Sequence, residues 1–343
     1  MTPNVTTQRS ELEEDYLALT AGVGLLDLSV AGKLEISGEN AAQFLNGLVS
    51  NEVKSLSPGQ GTLAAFLTVQ GKVLAIARIY RKEASFLLEI EESNREKLFR
   101  NLSRFVPAGG FNVEDQTSRL GLISIQGPRA EDLLASVIPT APGIEPFSHI
   151  ACELASTDVL LSRNARVGTV GFDLYLPTEA YDEVMAVLLR AGELLGVLGV
   201  RLVGSEAFEA ARIDAGIPRE PDEVNENRIL LEAGFDEAVS YAKGCYLGQE
   251  IIARIHWRGQ PARQLRRLAI AGSQPPPIGT ELYSKDEKKV GEITSVAVLP
   301  QSGTGETRIV ALGYVHRHYL DEGTQFSLRR EGVTIGEAKV RAR

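Results

Sequence analysis

Ile36-Ser37-Gly38-Glu39-Asn40-Ala41-Ala42-Gln43-Phe44-Leu45 and Ile125-Gln126-Gly127-Pro128-Arg129-Ala130-Glu131-Asp132-Leu133-Leu134 read as two copies of one unit. Each is a strand end, a glycine turn, then a helix with apolar residues at three- and four-residue spacing. A second pair follows at nearly the same offset. Phe86-Leu87-Leu88-Glu89-Ile90 leads into a helix through Ser93 and Glu96, spaced as a capping box. Phe172-Asp173-Leu174-Tyr175-Leu176 leads into a helix with Tyr181, Val184, Met185 and Leu188 on one face. Between the pairs, the runs Thr62 to Val69 and Lys72 to Tyr80 meet at Gln70-Gly71 and predict a tight hairpin. Two matched pairs predict a duplication: two pseudo-symmetric α+β halves with antiparallel sheets, facing each other.

The pattern changes at about Arg263. Short alternating runs such as Gly291 to Val298 and Thr307 to Val315 are separated by Gly, Pro and Ser, which predicts a small β-barrel. Residues 219–242 are polar and irregular and read as a segment crossing between units. The expected division is 1–118 for the first half, 119–262 for the second half with the crossing segment, and 263–343 for the barrel.

Bulk properties narrow the function. The 343 residues are 43% hydrophobic and 24% charged, with a net charge of −9. An acidic chain argues against general nucleic-acid binding. No apolar run is long enough to span a bilayer. The early residues Glu11, Glu13, Glu14 and Asp15 are unlike a signal or transit peptide, so a cytoplasmic protein is expected. Cys152 and Cys245, the two cysteines, form neither a disulfide framework nor a Cys-rich metal site. His316 and His318 lack an evident third ligand, and no tightly bound metal is expected.

The richest local chemistry is Lys243-Gly244-Cys245-Tyr246-Leu247-Gly248-Gln249-Glu250. A thiol just before a helix N-terminus, with an ammonium two residues away, is favoured as thiolate. Glu250 opposes this, and a small buried apolar cysteine is the competing reading. Farther along, Arg254, Arg258, Arg263, Arg266 and Arg267 make a basic stretch with Trp257 inside it. Such a stretch suits the anionic tail of a ligand, an RNA or acidic partner, or a solvated face. Trp257 could stack on a ring or plug a seam between units.

The octet resembles the K-G-C-(F or Y)-x-G-Q-E signature of the YgfZ family of folate-binding, T-protein-like proteins. The resemblance extends along the chain: Gly22 to Ser29 with Gly32-Lys33, then Arg212-Ile213-Asp214-Ala215-Gly216-Ile217-Pro218, then Val290 to Ser295 and Ala311 to Val315. It implies two folate-binding subdomains plus a C-terminal barrel around a central channel. It also implies tetrahydrofolate or a derivative as ligand, and support of iron–sulfur proteins and, through one of them, of tRNA modification. Asp214 matches the T-protein carboxylate that accepts the pterin's 2-amino and ring N–H pair, one methylene shorter. Arg212, Arg254, Trp257 and Arg258 complete the expected ligand side. Cys245 is the expected working thiol, accompanied by Lys243, Tyr246, Gln249 and Glu250.

One departure matters. T-proteins carry an aspartate pair on the strand after the hairpin glycine, whereas Gly71-Lys72-Val73-Leu74-Ala75-Ile76-Ala77 has no acid. Aminomethyl transfer needs a positioned proton acceptor or charge stabiliser. Two functions therefore stand: a YgfZ-like folate-binding auxiliary for iron–sulfur enzymes using Cys245, and a folate-dependent aminomethyltransferase or related one-carbon enzyme.

Overall fold

The computed structural model describes residues 5–194, 196, 200–300 and 307–342, with the backbone alone for residues 5–10 and 258. Helix α1 (Val5–Ala21) leads into β1 (Val23–Asp27). The first half then runs β2 (Gly32–Ser37), α2 (Ala41–Leu48), β3 (Gly61–Leu67), β4 (Val73–Arg81), β5 (Ser85–Ile90), α3 (Glu92–Ser103) and β6 (Asn112–Asp115). The second repeats that order as β7 (Leu120–Gln126), α4 (Ala130–Val137), β8 (His149–Leu154), β9 (Thr157–Arg163), β10 (Gly171–Pro177), α5 (Tyr181–Leu194) and β11 (Val200–Leu202).

The sheets are ordered β3-β4-β5-β2-β6 and β8-β9-β10-β7-β1-β11. The shared core order is the duplication read in three dimensions. The difference is β1, which is inserted between β7 and β11, antiparallel to the first and parallel to the second. A strand from within the expected 1–118 span is thus hydrogen-bonded in the other half's sheet.

Both repeat units turn on a glycine with positive φ. A Cβ on Gly38 would lie 2.5 Å from the Gly110 carbonyl oxygen, and one on Gly127 would lie 2.4 Å from that of Gly22. Only glycine allows both the left-handed turn and the close backbone approach. The helix after each turn buries its apolar stripe on its own sheet. Leu45, Leu98 and Leu102 pack on Leu34, Ile36 and Leu88, and Leu133, Leu134, Val184 and Leu188 pack on Ile125, Phe172 and Leu174. Alternation sends the other strand residues to the opposite face. There Tyr80 and Leu87 of one half meet Leu122 and Tyr175 of the other, so the sheets face each other with helices outside. The capping box does not form. Helix α3 starts at Glu92, which puts Ser93 inside the first turn, and its end has no side-chain cap bond.

After β11, helix α6 (Ser205–Ala215) packs an alanine-rich face between α1 and the barrel. A largely irregular crossing follows, then α7 (Gln249–Arg258). The strands β12 (Arg263–Ala271), β13 (Glu281–Tyr283), β14 (Lys289–Pro300), β15 (Thr307–His316), β16 (Gln325–Arg330) and β17 (Val333–Val340) close a barrel in the order β12-β15-β14-β13-β16-β17. Its core includes Leu268, Leu282, Ile293, Phe326 and Leu328. The α+β class and the C-terminal barrel agree with the sequence pattern.

Candidate functional site

Two adjoining cavities of about 290 and 340 Å³ lie where the crossing segment passes over the seam between the sheets. They share Arg78, Glu91, Ile217, Pro218 and Arg219. The first is walled by Leu63 and Ile76 of one half, Phe147 and Asn164 of the other, and Gly216 to Glu220 of the crossing. Phe147 sits at φ 60°, a strained conformation for a bulky residue, and contributes to the cavity wall.

The second cavity is floored by an ion network joining the halves. Arg166 from the second half donates to Asp173 beside it and, at 2.7 Å, to Glu89 of the first half. Arg78 also donates to Glu89, and Asn164 donates to Asp173. Burial pushes the Glu89 carboxyl up, but the Arg166 and Arg78 charges and the bonds from Arg166 and Tyr175 outweigh it and hold Glu89 down at about 2. Removing one member would leave an uncompensated buried charge.

Glu220 has a different setting. It is 5% exposed, and its Oε2 accepts the backbone N–H of Ile76 at 3.0 Å. Burial, reinforced by the Glu91 charge, pushes its carboxyl up to about 8 against the pull of the Ile76 N–H, Asn94 and Arg78. Glu91 is raised too, by burial and then by Glu89. The Nε atoms of Arg78 and Arg219 are buried without a partner in the chain. Buried donors normally find acceptors, so these two are suited to a ligand.

Asp214 stands apart from both cavities. It accepts from Tyr16 Oη at 2.8 Å, from Arg308 at 2.8 and 3.1 Å, and from Arg341. Burial acts upward on its carboxyl, yet the bonds from Arg308, Arg341 and Tyr16 hold it down at about 2. Arg212 is 2% exposed and donates to Glu223, to Glu209 and to the Ile217 carbonyl. It pins the start of the crossing segment and is among the residues lining the second cavity.

The octet is not at these cavities either. Cys245 is exposed. Lys243 turns away from bulk water: its Nζ donates to the carbonyls of Asn46, Val49 and Asn51 at 2.8, 2.8 and 2.6 Å. Burial lowers its pKa to about 8, with Glu52 pulling the other way. Tyr246 is buried, with the Lys243 ammonium 5.0 Å from its ring centre. Gln249 opens α7 and is half-buried, while Glu250 is exposed. Gly248, at φ 83°, lets the octet lie on the β3–β4 hairpin, because a Cβ there would be 2.6 Å from the Thr68 carbonyl oxygen. Arg254 is exposed and Trp257 is 73% exposed, so the indole plugs no seam. His256 stacks on Tyr241 at 3.6 Å, and Trp257 meets His256 edge-on. The side chain of Arg258 lies outside the described residues. Cys152 is half-buried against the core of the second half, and burial raises its pKa.

Glu220, Phe147, Arg78 and Arg219 were not singled out from the sequence. A lone glutamate before a proline in an aperiodic segment carries no pattern. Only the irregularity of residues 219–242 marked the place.

Two facing α+β halves, a barrel and a polar cavity at their seam define a T-protein-like protein. Residues 4–243 match the model of the GCVT N-terminal domain, and the chain belongs to that family. It is 29% identical over 337 residues to an aminomethyltransferase of Bacillus velezensis, covering 97% of this chain and 89% of that one. It is 26% identical over 332 residues to an aminomethyltransferase of Chlorobium luteolum, covering 95% and 88%. In fold it is similar to glycine cleavage system aminomethyltransferase T from Bartonella henselae, with a TM-score of 0.82, 23% identity, and 96% and 88% of the two chains covered. The family uses tetrahydrofolate. Among the described residues, no group of three or more His, Cys, Asp or Glu could hold a metal ion, and no helix is long and apolar enough to cross a membrane.

Proposed function

We propose that this chain binds a reduced folate in the cavity at the seam of its two halves. The observation that carries the reading is a cavity combining the buried Glu220 carboxyl group, an aromatic wall and two unpartnered guanidinium nitrogens. Phe147 would pack against the pterin, and Arg78 and Arg219 would take acceptor atoms or carboxylates of the ligand. Bound folate supplies the nitrogens that carry a one-carbon unit. Calorimetry with tetrahydrofolate tests the reading: saturable binding is expected, and none at millimolar ligand removes it.

Two finer readings have separate support. Aminomethyl transfer is supported by the relatives, which carry that name across nearly their whole length. The YgfZ-like reading, a folate-binding auxiliary for iron–sulfur enzymes, is supported by the octet with its exposed Cys245 and by the lack of an acid in residues 71–77. The relatives weigh toward the first. The deciding assay is replacement of T-protein in a reconstituted glycine cleavage reaction. Folate-dependent ammonia release establishes transfer. Its absence, with rescue of an iron–sulfur enzyme in cells by wild type but not by Cys245→Ala, establishes the auxiliary.

A further inference from the structure

Residues 71–77 carry no acidic side chain, yet the structure brings a carboxyl group to them from elsewhere. The crossing segment folds Glu220 back beneath β4, where Oε2 is anchored by the Ile76 N–H at 3.0 Å. Glu220 lines the first cavity together with Ile76, Phe147 and Asn164. No lysine or arginine among the described residues closes a salt bridge with it. The residue matching the expected pterin carboxylate, Asp214, is already engaged by Tyr16, Arg308 and Arg341. Of the two carboxyl groups, Glu220 is the one that faces the cavity and has acceptor capacity left.

We propose that Glu220 is the carboxyl group that meets the pterin, accepting its 2-amino and ring N–H donors as a carboxylate. The proposal rests on the folate reading above. It assigns ligand recognition to the crossing segment, six residues beyond the position the sequence pattern indicated.

The assignment has a pH signature. The groups facing Glu220 are Arg78 on β4, Glu91 and Asn94 at the start of α3, Arg219 beside it and Glu237 across the cavity. Burial with the Glu91 charge keeps the free Glu220 carboxyl protonated up to about pH 8. A ligand that needs the carboxylate must displace that proton. Affinity therefore weakens about tenfold for each pH unit below that point and levels off above it.

The experiment is calorimetric titration of the full chain with tetrahydrofolate from pH 6 to 9, in buffers of different ionisation enthalpy. Wild type should release roughly one proton per ligand at pH 7, with affinity rising about tenfold per unit toward pH 8. Glu220→Gln should release none and lose the pH slope, and at pH 9 it should bind at least about tenfold more weakly than wild type. Glu91→Gln removes a neighbouring negative charge and should move the wild-type midpoint to lower pH. If Glu220→Gln does not fold, wild type alone decides: equal affinity at pH 6 and 8 with no proton release overturns the proposal. So does affinity lost in Asp214→Asn and kept in Glu220→Gln. Wild type that binds no tetrahydrofolate removes the folate reading and this proposal together, whereas binding without a pH slope removes the proposal alone.

Discussion

Asp214 and Glu220 are neighbours in sequence, yet they live in opposite electrostatic surroundings. Asp214, at the seam of α6, α1 and the barrel, has two guanidinium groups and a phenol around it. Glu220, in the cavity, has one backbone N–H, an amide and a like-charged neighbour, and Arg78 acts on it without closing a salt bridge. Both are removed from bulk water, so desolvation acts on both in the same direction. Cations decide the rest: the carboxyl of Asp214 is held at about 2 and that of Glu220 at about 8. The first acts as a fastener between units. The second leaves a polar group open to a ligand, at a cost to the fold.

That contrast can be broken by measuring stability against pH. The largest effect is expected at Glu220. Its folded-state carboxyl is raised from 4.5 to about 8, so the folded chain holds a proton the unfolded chain gives up. Wild-type stability should fall as pH rises through that window, and Glu220→Gln should flatten the fall. At pH 9 the variant should be the more stable by up to about 4 kcal/mol, with little difference at pH 4.5. Urea melts at the two pH values check this, and parallel curves for both proteins would erase the contrast. Asp214 should behave in the opposite sense. Its pKa is depressed from 3.8 to about 2, so its stabilisation is present above pH 3.8 and is lost as pH falls toward 2. Asp214→Asn should lose about 2 kcal/mol at pH 7 and match wild type near pH 2, provided both remain folded there in thermal melts.

Lys243 sharpens the comparison, since it is a buried charge satisfied by three carbonyls and, among the described residues, by no ion pair. Lys243→Met should cost roughly 1–2 kcal/mol in chemical denaturation by stranding those acceptors. The smallest effect is expected at the exposed thiol. Cys245→Ala should change stability by less than about 0.5 kcal/mol in the same assay. A larger loss would show that the thiol is packed.

The fold was legible because its signals are local and repeated. A glycine turn followed by an apolar helical stripe is visible in ten residues, and it occurs twice with the same consequence. The structure adds that alternate residues of Phe86 to Ile90 and of Phe172 to Leu176 face the helices and the seam. The site was less legible because its partners are distant. Tyr16, Arg308 and Arg341 close on Asp214 from separate regions of the chain, and nothing near Asp214 announces them. The octet pattern makes Lys243 a cation for Cys245, but the carbonyls of Asn46 in α2 and of Val49 and Asn51 just after it hold the ammonium instead. Glu220 gave no periodic signal, because irregular backbone placed it.

The strand inserted between β7 and β11 also sets an order of events. Val23–Asp27 leaves the ribosome well before Leu120–Gln126 and long before Val200–Leu202. At about 5–20 residues per second, it waits on the order of ten seconds for the last of its hydrogen-bonding partners. During that time the first half can close its own sheet without it. The second half cannot finish without reaching back to a segment made at the start, so a fragment beginning at residue 119 lacks an interior strand of its sheet. The two halves look like separable copies in sequence, but the nascent chain must complete them as one.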